Sequence, residues 1–208
     1  MTPIDFPKEL TPAQRRTRRR LVTAAMSLSS SGALPTLTEV ATQAEMSRAT
    51  AYRYFPTQGA LVAAMVEESL RPIIEWRPHQ ADAAQRIHEL LGFAYPRMLE
   101  HEGVLRAALQ LSLQQWSEQR RDPKKTETLV RGNRKSILKR VVEPLEGKMS
   151  ADGLQRMIYA FSLIYGSEVF MVMKDIWHAD DNEILNVTQW MAKAILRQAE
   201  EDVRAGIA

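Results

Sequence analysis

Ser47, Arg48, Thr50, Tyr52, Arg53 and Tyr54 crowd into one short stretch of the chain. Hydroxyls and guanidinium groups spaced this closely suit hydrogen bonding to phosphates and base edges, which is the chemistry of binding rather than of bond making. Leucines at these positions would argue for a core. Nothing elsewhere supports catalysis. His79, His88, His101 and His178 show no metalloprotease or other catalytic spacing. Asp175 and His178 stand one helical turn apart and could hold a metal, but a surface or capping role suits them better. There is no phosphate-cradling glycine loop and no arranged acid–base pair, so the reading is a non-enzyme with no cofactor. The chain has no cysteine, which excludes disulfides, thiolate metal sites, iron–sulfur clusters and a cysteine nucleophile.

The elements that must position these residues are helical. Thr11 caps a helix opened by Pro12, and Leu21, Ala24, Ala25 and Leu28 form its apolar stripe. Ser29-Ser30-Ser31-Gly32 stops it. Thr36 and Glu39 make a capping box for a short helix with Val40, Ala41 and Ala44 inward. Small residues there permit close helix approach. Ser47 caps a second short helix that runs to about Tyr54, and Phe55-Pro56 ends it. Thr57 caps a long fourth helix carrying Leu61, Ala64 and Met65. Two short helices joined by a tight turn after a longer one are a helix-turn-helix.

Charge supports this reading. The chain has 208 residues with 28 basic and 25 acidic side chains, a net charge of +3. The first sixty residues carry +4 of this, with Arg15, Arg16, Arg18, Arg19 and Arg20 clustered ahead of the motif, and the remainder carries −1. A basic head on a near-neutral body fits a polyanion partner. A second basic cluster, from Arg120 to Arg140, reads as an exposed helix face.

The stretch Thr36 to Leu61, TLTEVATQAEMSRATAYRYFPTQGAL, resembles the DNA-binding signature of the TetR family of bacterial transcriptional regulators. The matching elements are Thr36, Val40-Ala41, Ala44, Met46-Ser47, Thr50, Tyr52-Arg53-Tyr54-Phe55-Pro56 and Leu61. The resemblance implies an all-α fold: a three-helix DNA-binding head, then a larger helical domain that binds ligand and dimerises. It implies that Arg48, Ala49, Thr50 and Arg53 lie along the recognition helix. Ser47, Tyr52 and Tyr54 would touch phosphates or brace that helix, and Thr36 and Thr38 would start the supporting helix near a phosphate. Two positions depart from the family pattern. Glu45 stands in the turn where glycine is usual. Gln58 follows the Phe-Pro-Thr corner where lysine is common, so a charge contact becomes a hydrogen bond.

The expected organisation is a tail over 1–10, a DNA-binding domain over 11–60 and a ligand-binding and dimerisation domain over 61–208. In the last, Pro72 and Pro78 bracket a connection. A helix over about 83–100 is kinked by Pro96, and Gly103 separates it from a helix reaching about Trp116. Pro123 opens another to about Val142. Long helices over about 153–177 and 182–203 follow, the last with Ile184, Val187, Met191 and Ala194 as an a/d-type seam. Candidate ligand-lining residues are Leu90, Phe93, Met98, Leu109, Trp116, Phe161, Tyr165 and Met171, which suit ordinary core equally well. Phe170, Met173, Trp177 and Trp190 lie off the main stripes, an apolar excess that a homodimer through the last two helices would cover. The expected partners are operator DNA and a small organic effector. The N-terminus lacks an export signal and no stretch is apolar enough to span a membrane, which reads as cytoplasmic. A DNA-binding protein without a ligand switch and a helical partner-binding protein remain as alternatives.

Overall fold

A computed structural model describes residues 10–31, 33–122 and 133–206. These residues form ten α-helices, with short 3₁₀ turns after the first and seventh. In order they are α1 (Pro12–Leu28), α2 (Leu37–Gln43), α3 (Arg48–Tyr54), α4 (Gln58–Glu75), α5 (Ala83–Glu100), α6 (Glu102–Arg121), α7 (Asn133–Val142), α8 (Ala151–Leu163), α9 (Glu168–Met173) and α10 (Asp181–Arg204). Among the described residues there is no β-strand and no helix long and apolar enough to cross a membrane.

The chain divides into two compact units. The described residues within Met1–Glu68 and Arg106–Leu129 form one, and those within Ser69–Leu105 and Val130–Ala208 the other. Two of the three divisions fall inside helices, α4 and α6, and the third lies outside the described residues.

In the first unit, Leu21, Val22 and Ala25 of α1 are buried, as are Val40 and Ala41 of α2, Ala51 of α3, and Leu61 and Met65 of α4. Phe55 is 2% exposed, so it is core as its position implied. Arg18 lies over the Phe55 ring, 5.6 Å from its centroid, and reaches Glu67 at 3.7 Å. Val62 of α4 meets Ala108 and Leu111 of α6.

The second unit buries Leu90, Leu91, Ala94 and Tyr95 of α5, Leu138 and Val141 of α7, Met157 and Phe161 of α8, and Ile184, Ala192 and Leu196 of α10. The Tyr95 hydroxyl donates to the Ile164 carbonyl at 2.7 Å, and its ring meets Phe170 edge-on at 6.0 Å.

Several boundaries differ from the sequence reading. Helix α4 runs through Pro72 to Glu75, so the connection begins at Trp76. His101, not Gly103, caps α5, and Gly103 sits in the first turn of α6, which continues past Trp116 to Arg121. The helix start expected at Pro123 lies outside the described residues, and α7 covers Asn133–Val142. The helix expected over 153–177 is two helices, because Gly166 has φ 145°, a value side-chain-bearing residues rarely adopt. Phe170 is fully buried and belongs to the core, not to an outward face. The expected seam of α10 divides as well. Ile184, Thr188, Ala192, Leu196 and Ala199 face inward, whereas Val187 and Met191 are exposed.

Arg134 explains why Gly166 is glycine. Its guanidinium donates to Glu168 at 2.5 Å and to the Ser162 carbonyl at 3.3 Å, occupying the space a Cβ on residue 166 would need. Gly166→Ala therefore combines backbone strain with loss of this bridge. We expect it to destabilise the fold by about 2–3 kcal/mol, read from a denaturation midpoint.

Candidate nucleic-acid interface

The presentation of α3 begins with how α2 stops. Ser, Thr and carboxylate caps define both helices. The Thr36 hydroxyl accepts the Glu39 N–H at 3.2 Å, and the Glu39 carboxylate accepts the Thr36 N–H at 2.7 Å and its hydroxyl at 2.8 Å. At its other end, the Met46 N–H donates to Ala41 at 2.8 Å and the Glu45 N–H to Thr42 at 3.0 Å. These two bonds are a Schellman stop. It requires a left-handed residue, and Glu45 supplies it with φ 53°. Arg20 of α1 donates to the Ala44 carbonyl at 3.0 Å and ties this turn to the first helix. Ser47 then caps α3, accepting the Thr50 N–H at 3.1 Å, with the two hydroxyls 2.9 Å apart.

The result is a seven-residue helix with two faces. Ala51 and the capping Phe55 are buried, while Arg48, Ala49, Tyr52 and Arg53 are exposed. Tyr52 is half exposed at 50%, unusual for a tyrosine with no role outside the core. Thr50 and Tyr54 sit at the flanks, half-buried, and Arg53 lies over the Tyr54 ring at 5.5 Å. Thr36 is exposed and Thr38 half-buried at the start of α2. Gln58 is half-buried at the start of α4, and its amide donates to the Pro35 carbonyl. This bond, invisible in the sequence, anchors the segment before α2.

Beside this motif, α1 and the α2–α3 turn form an open groove of about 570 Å³, lined by Arg16, Arg19, Arg20, Thr23 and Ser27 with Glu45 at its edge. Arg15, Arg16 and Arg19 have no ion-pair partner among the described residues. By contrast, two cations of the second basic cluster have structural work: Arg134 pairs with Glu168, and Arg140 donates to the Trp76 carbonyl at 2.9 Å. Lys124, Lys125 and Arg131 lie outside the described residues. No group of three metal-ligating side chains is present among the described residues.

The eight candidate ligand-lining residues are divided between the two units. Leu90, Met98, Phe161 and Tyr165 are buried in the second unit, where burial raises the Tyr165 phenol well above its ordinary value. Phe93 is half-buried beneath the Arg97 guanidinium, 3.6 Å from its ring centroid, and Met171 is exposed. Leu109 and Trp116 belong to the first unit, Trp116 exposed with Arg120 stacked at 4.8 Å. None of the eight lines the groove beside α1.

Solved structures place this arrangement. A TetR transcriptional regulator from Rhodococcus sp. RHA1 superposes with a TM-score of 0.59 over 88% of this chain and 96% of that one, at 16% identity. A tetR-family transcriptional regulator from Streptomyces coelicolor gives 0.66 over 93% and 87%, at 18% identity. The chain has the TetR fold. No family model matches the sequence, nor does any curated protein. The TetR fold is thus kept here by helix order and packing, at an identity where few individual side chains are shared.

Two tests follow. Glu45→Gly removes left-handed strain of about 1–2 kcal/mol but adds unfolded-state freedom, so thermal denaturation should show a net gain of about 0.5–1 kcal/mol. Thr36→Ala should cost about 1 kcal/mol. The backbone N–H of Thr36 holds the Glu39 carboxyl below its usual value. The stabilisation linked to that carboxylate is complete above its unfolded pKa of about 4.3 and is lost as the pH falls further. Thr36→Ala keeps the backbone N–H and removes only the hydroxyl bond to the carboxylate, so it should shrink this acid limb in part, not abolish it, in a pH series of unfolding curves.

Proposed function

We propose that the chain is a DNA-binding transcriptional regulator that binds a palindromic operator as a homodimer, represses by occupancy, and is released by a small organic effector. The observation that carries this reading is the exposed Arg48, Tyr52 and Arg53 face of α3, held outward by a helix-turn-helix within a TetR fold. In this reading residues 11–60 hold the DNA and residues 61–208 dimerise and bind effector. Arg48, Ala49, Thr50 and Arg53 meet base edges, where an arginine fork recognises guanine. Thr36, Thr38, Ser47, Tyr52, Tyr54 and Gln58 meet the backbone, with help from Arg15, Arg16 and Arg19.

Dimerisation is supported by the exposed apolar surface of the last helices. Tyr159, Leu163, Trp177, Val187, Trp190 and Met191 are all solvent-exposed in the single chain, Leu163 at 81% and Trp190 at 70%. Monomers seldom leave such a face uncovered. A two-fold pairing there would set two recognition helices about 34–36 Å apart, one turn of DNA. Effector action needs only a preference for one domain shape, which moves the population away from DNA. Helices α4 and α6, continuous across both units, are the covalent route for that coupling.

Selection from random duplexes with purified protein tests the claim. A palindrome should be enriched, and an unenriched pool would overturn it. On the selected operator, Arg48→Ala or Arg53→Ala should cost about 1–3 kcal/mol and relax one position of each half-site. Gln58→Lys should steepen the salt dependence of binding by about 0.9 in log–log slope per added phosphate contact. Trp190→Glu should convert dimer to monomer in sedimentation and weaken operator binding with it.

A further inference from the structure

We propose that a groove between the last turns of α5 and the first turn of α10 binds a small organic cation with an apolar body. The groove holds about 440 Å³, within the range of small-molecule sites. Its walls are Pro96, Leu99 and Leu185, and Tyr95 and Asn182 also line it. The carboxylates of Glu100 and Asp181 stand at its rim. No residue named for effector binding in the preceding sections lines it.

Charge decides the occupant. Glu100 is exposed and its side chain has no partner among the described residues. It also sits at the C-terminal end of α5, where the unsatisfied carbonyls present partial negative charge. The N-terminal end of α10 has the opposite sign, but Asp180, Asp181 and Glu183 offset it. Two cations are near. Lys174 is shared between Glu102 at 2.8 Å and Asp181 at 3.2 Å, so it neutralises only part of the acidic surface. Arg97 is committed to the ring and carbonyl of Phe93. An anion would meet two carboxylates here, and a neutral apolar molecule would leave Glu100 without a counter-charge. An ammonium group against Glu100 and Asp181, with a hydrocarbon or aryl body along Leu99 and Leu185, satisfies both parts of the groove.

The site remains open if the chain pairs through the exposed apolar face of α10. At about 100° per residue, Asp181, Asn182 and Leu185 lie on the opposite side of α10 from Val187, Trp190 and Met191. A second copy seated on that apolar face leaves the groove free. The inference does not depend on DNA recognition.

Calorimetric titration of the full chain with 2-phenylethylammonium and with its neutral analogue 2-phenylethanol tests it. The amine should bind with a Kd below about 1 mM and the alcohol at least about tenfold more weakly. Glu100→Gln should weaken the amine about five- to tenfold and leave the alcohol unchanged, because this exposed side chain holds nothing else in place. Leu185→Trp, which fills the groove, should abolish the amine signal; circular dichroism would confirm that both variants fold. Absence of amine binding, equal affinity for amine and alcohol, or indifference to Glu100→Gln would each overturn the proposal.

Discussion

The stop at the end of α2 is the constraint on which the exposed face of α3 rests. Two backbone hydrogen bonds close the helix at Ala41 and Thr42, and they form only if residue 45 turns left-handed. If α2 continued by one more turn, α3 would start elsewhere and Arg48, Tyr52 and Arg53 would no longer share an exposed face. The chain accepts a glutamate there, and Arg20 holds the turn from outside by its bond to Ala44. Local strain is thus retained where it sets the direction of α3.

Around that stop, each side chain of the motif serves either the frame or the exposed surface. Ala51 and Phe55 seat α3, Ser47 and Thr36 satisfy helix ends, and Gln58 secures the segment before α2. What remains outward on α3, apart from Ala49, is cationic or aromatic. The same sorting divides the arginines. Arg18, Arg20, Arg134 and Arg140 have partners that hold elements together, whereas Arg15, Arg16 and Arg19 are left to the solvent.

The sequence was most legible where local rules act alone. The Thr36–Glu39 capping box, the Thr11 cap and the helix end at Phe55 depend on near neighbours and are found as read, as is the stripe of α1 at Leu21, Ala24 and Ala25, with Leu28 only half-buried. The longer helices were less legible because their limits depend on distant partners. Nothing in the local pattern around Gly166 reveals that Arg134, more than thirty residues earlier, occupies the space beside it. Val187 and Met191 carry an inward-looking period, yet they are exposed because Thr188 and Ala192 take the inward face. A ligand site was less legible for a related reason: apolar residues at helical spacing report burial, and burial does not distinguish a filled core from a cavity.

Helix α6 spans twenty residues, about 30 Å of continuous hydrogen-bonded rod. Its first turn carries Glu102, fastened to Lys174, and its later turns carry Ala108 and Leu111, set against Val62. A rod of this length transmits axial displacement with little loss, since shortening it would break backbone bonds along its length.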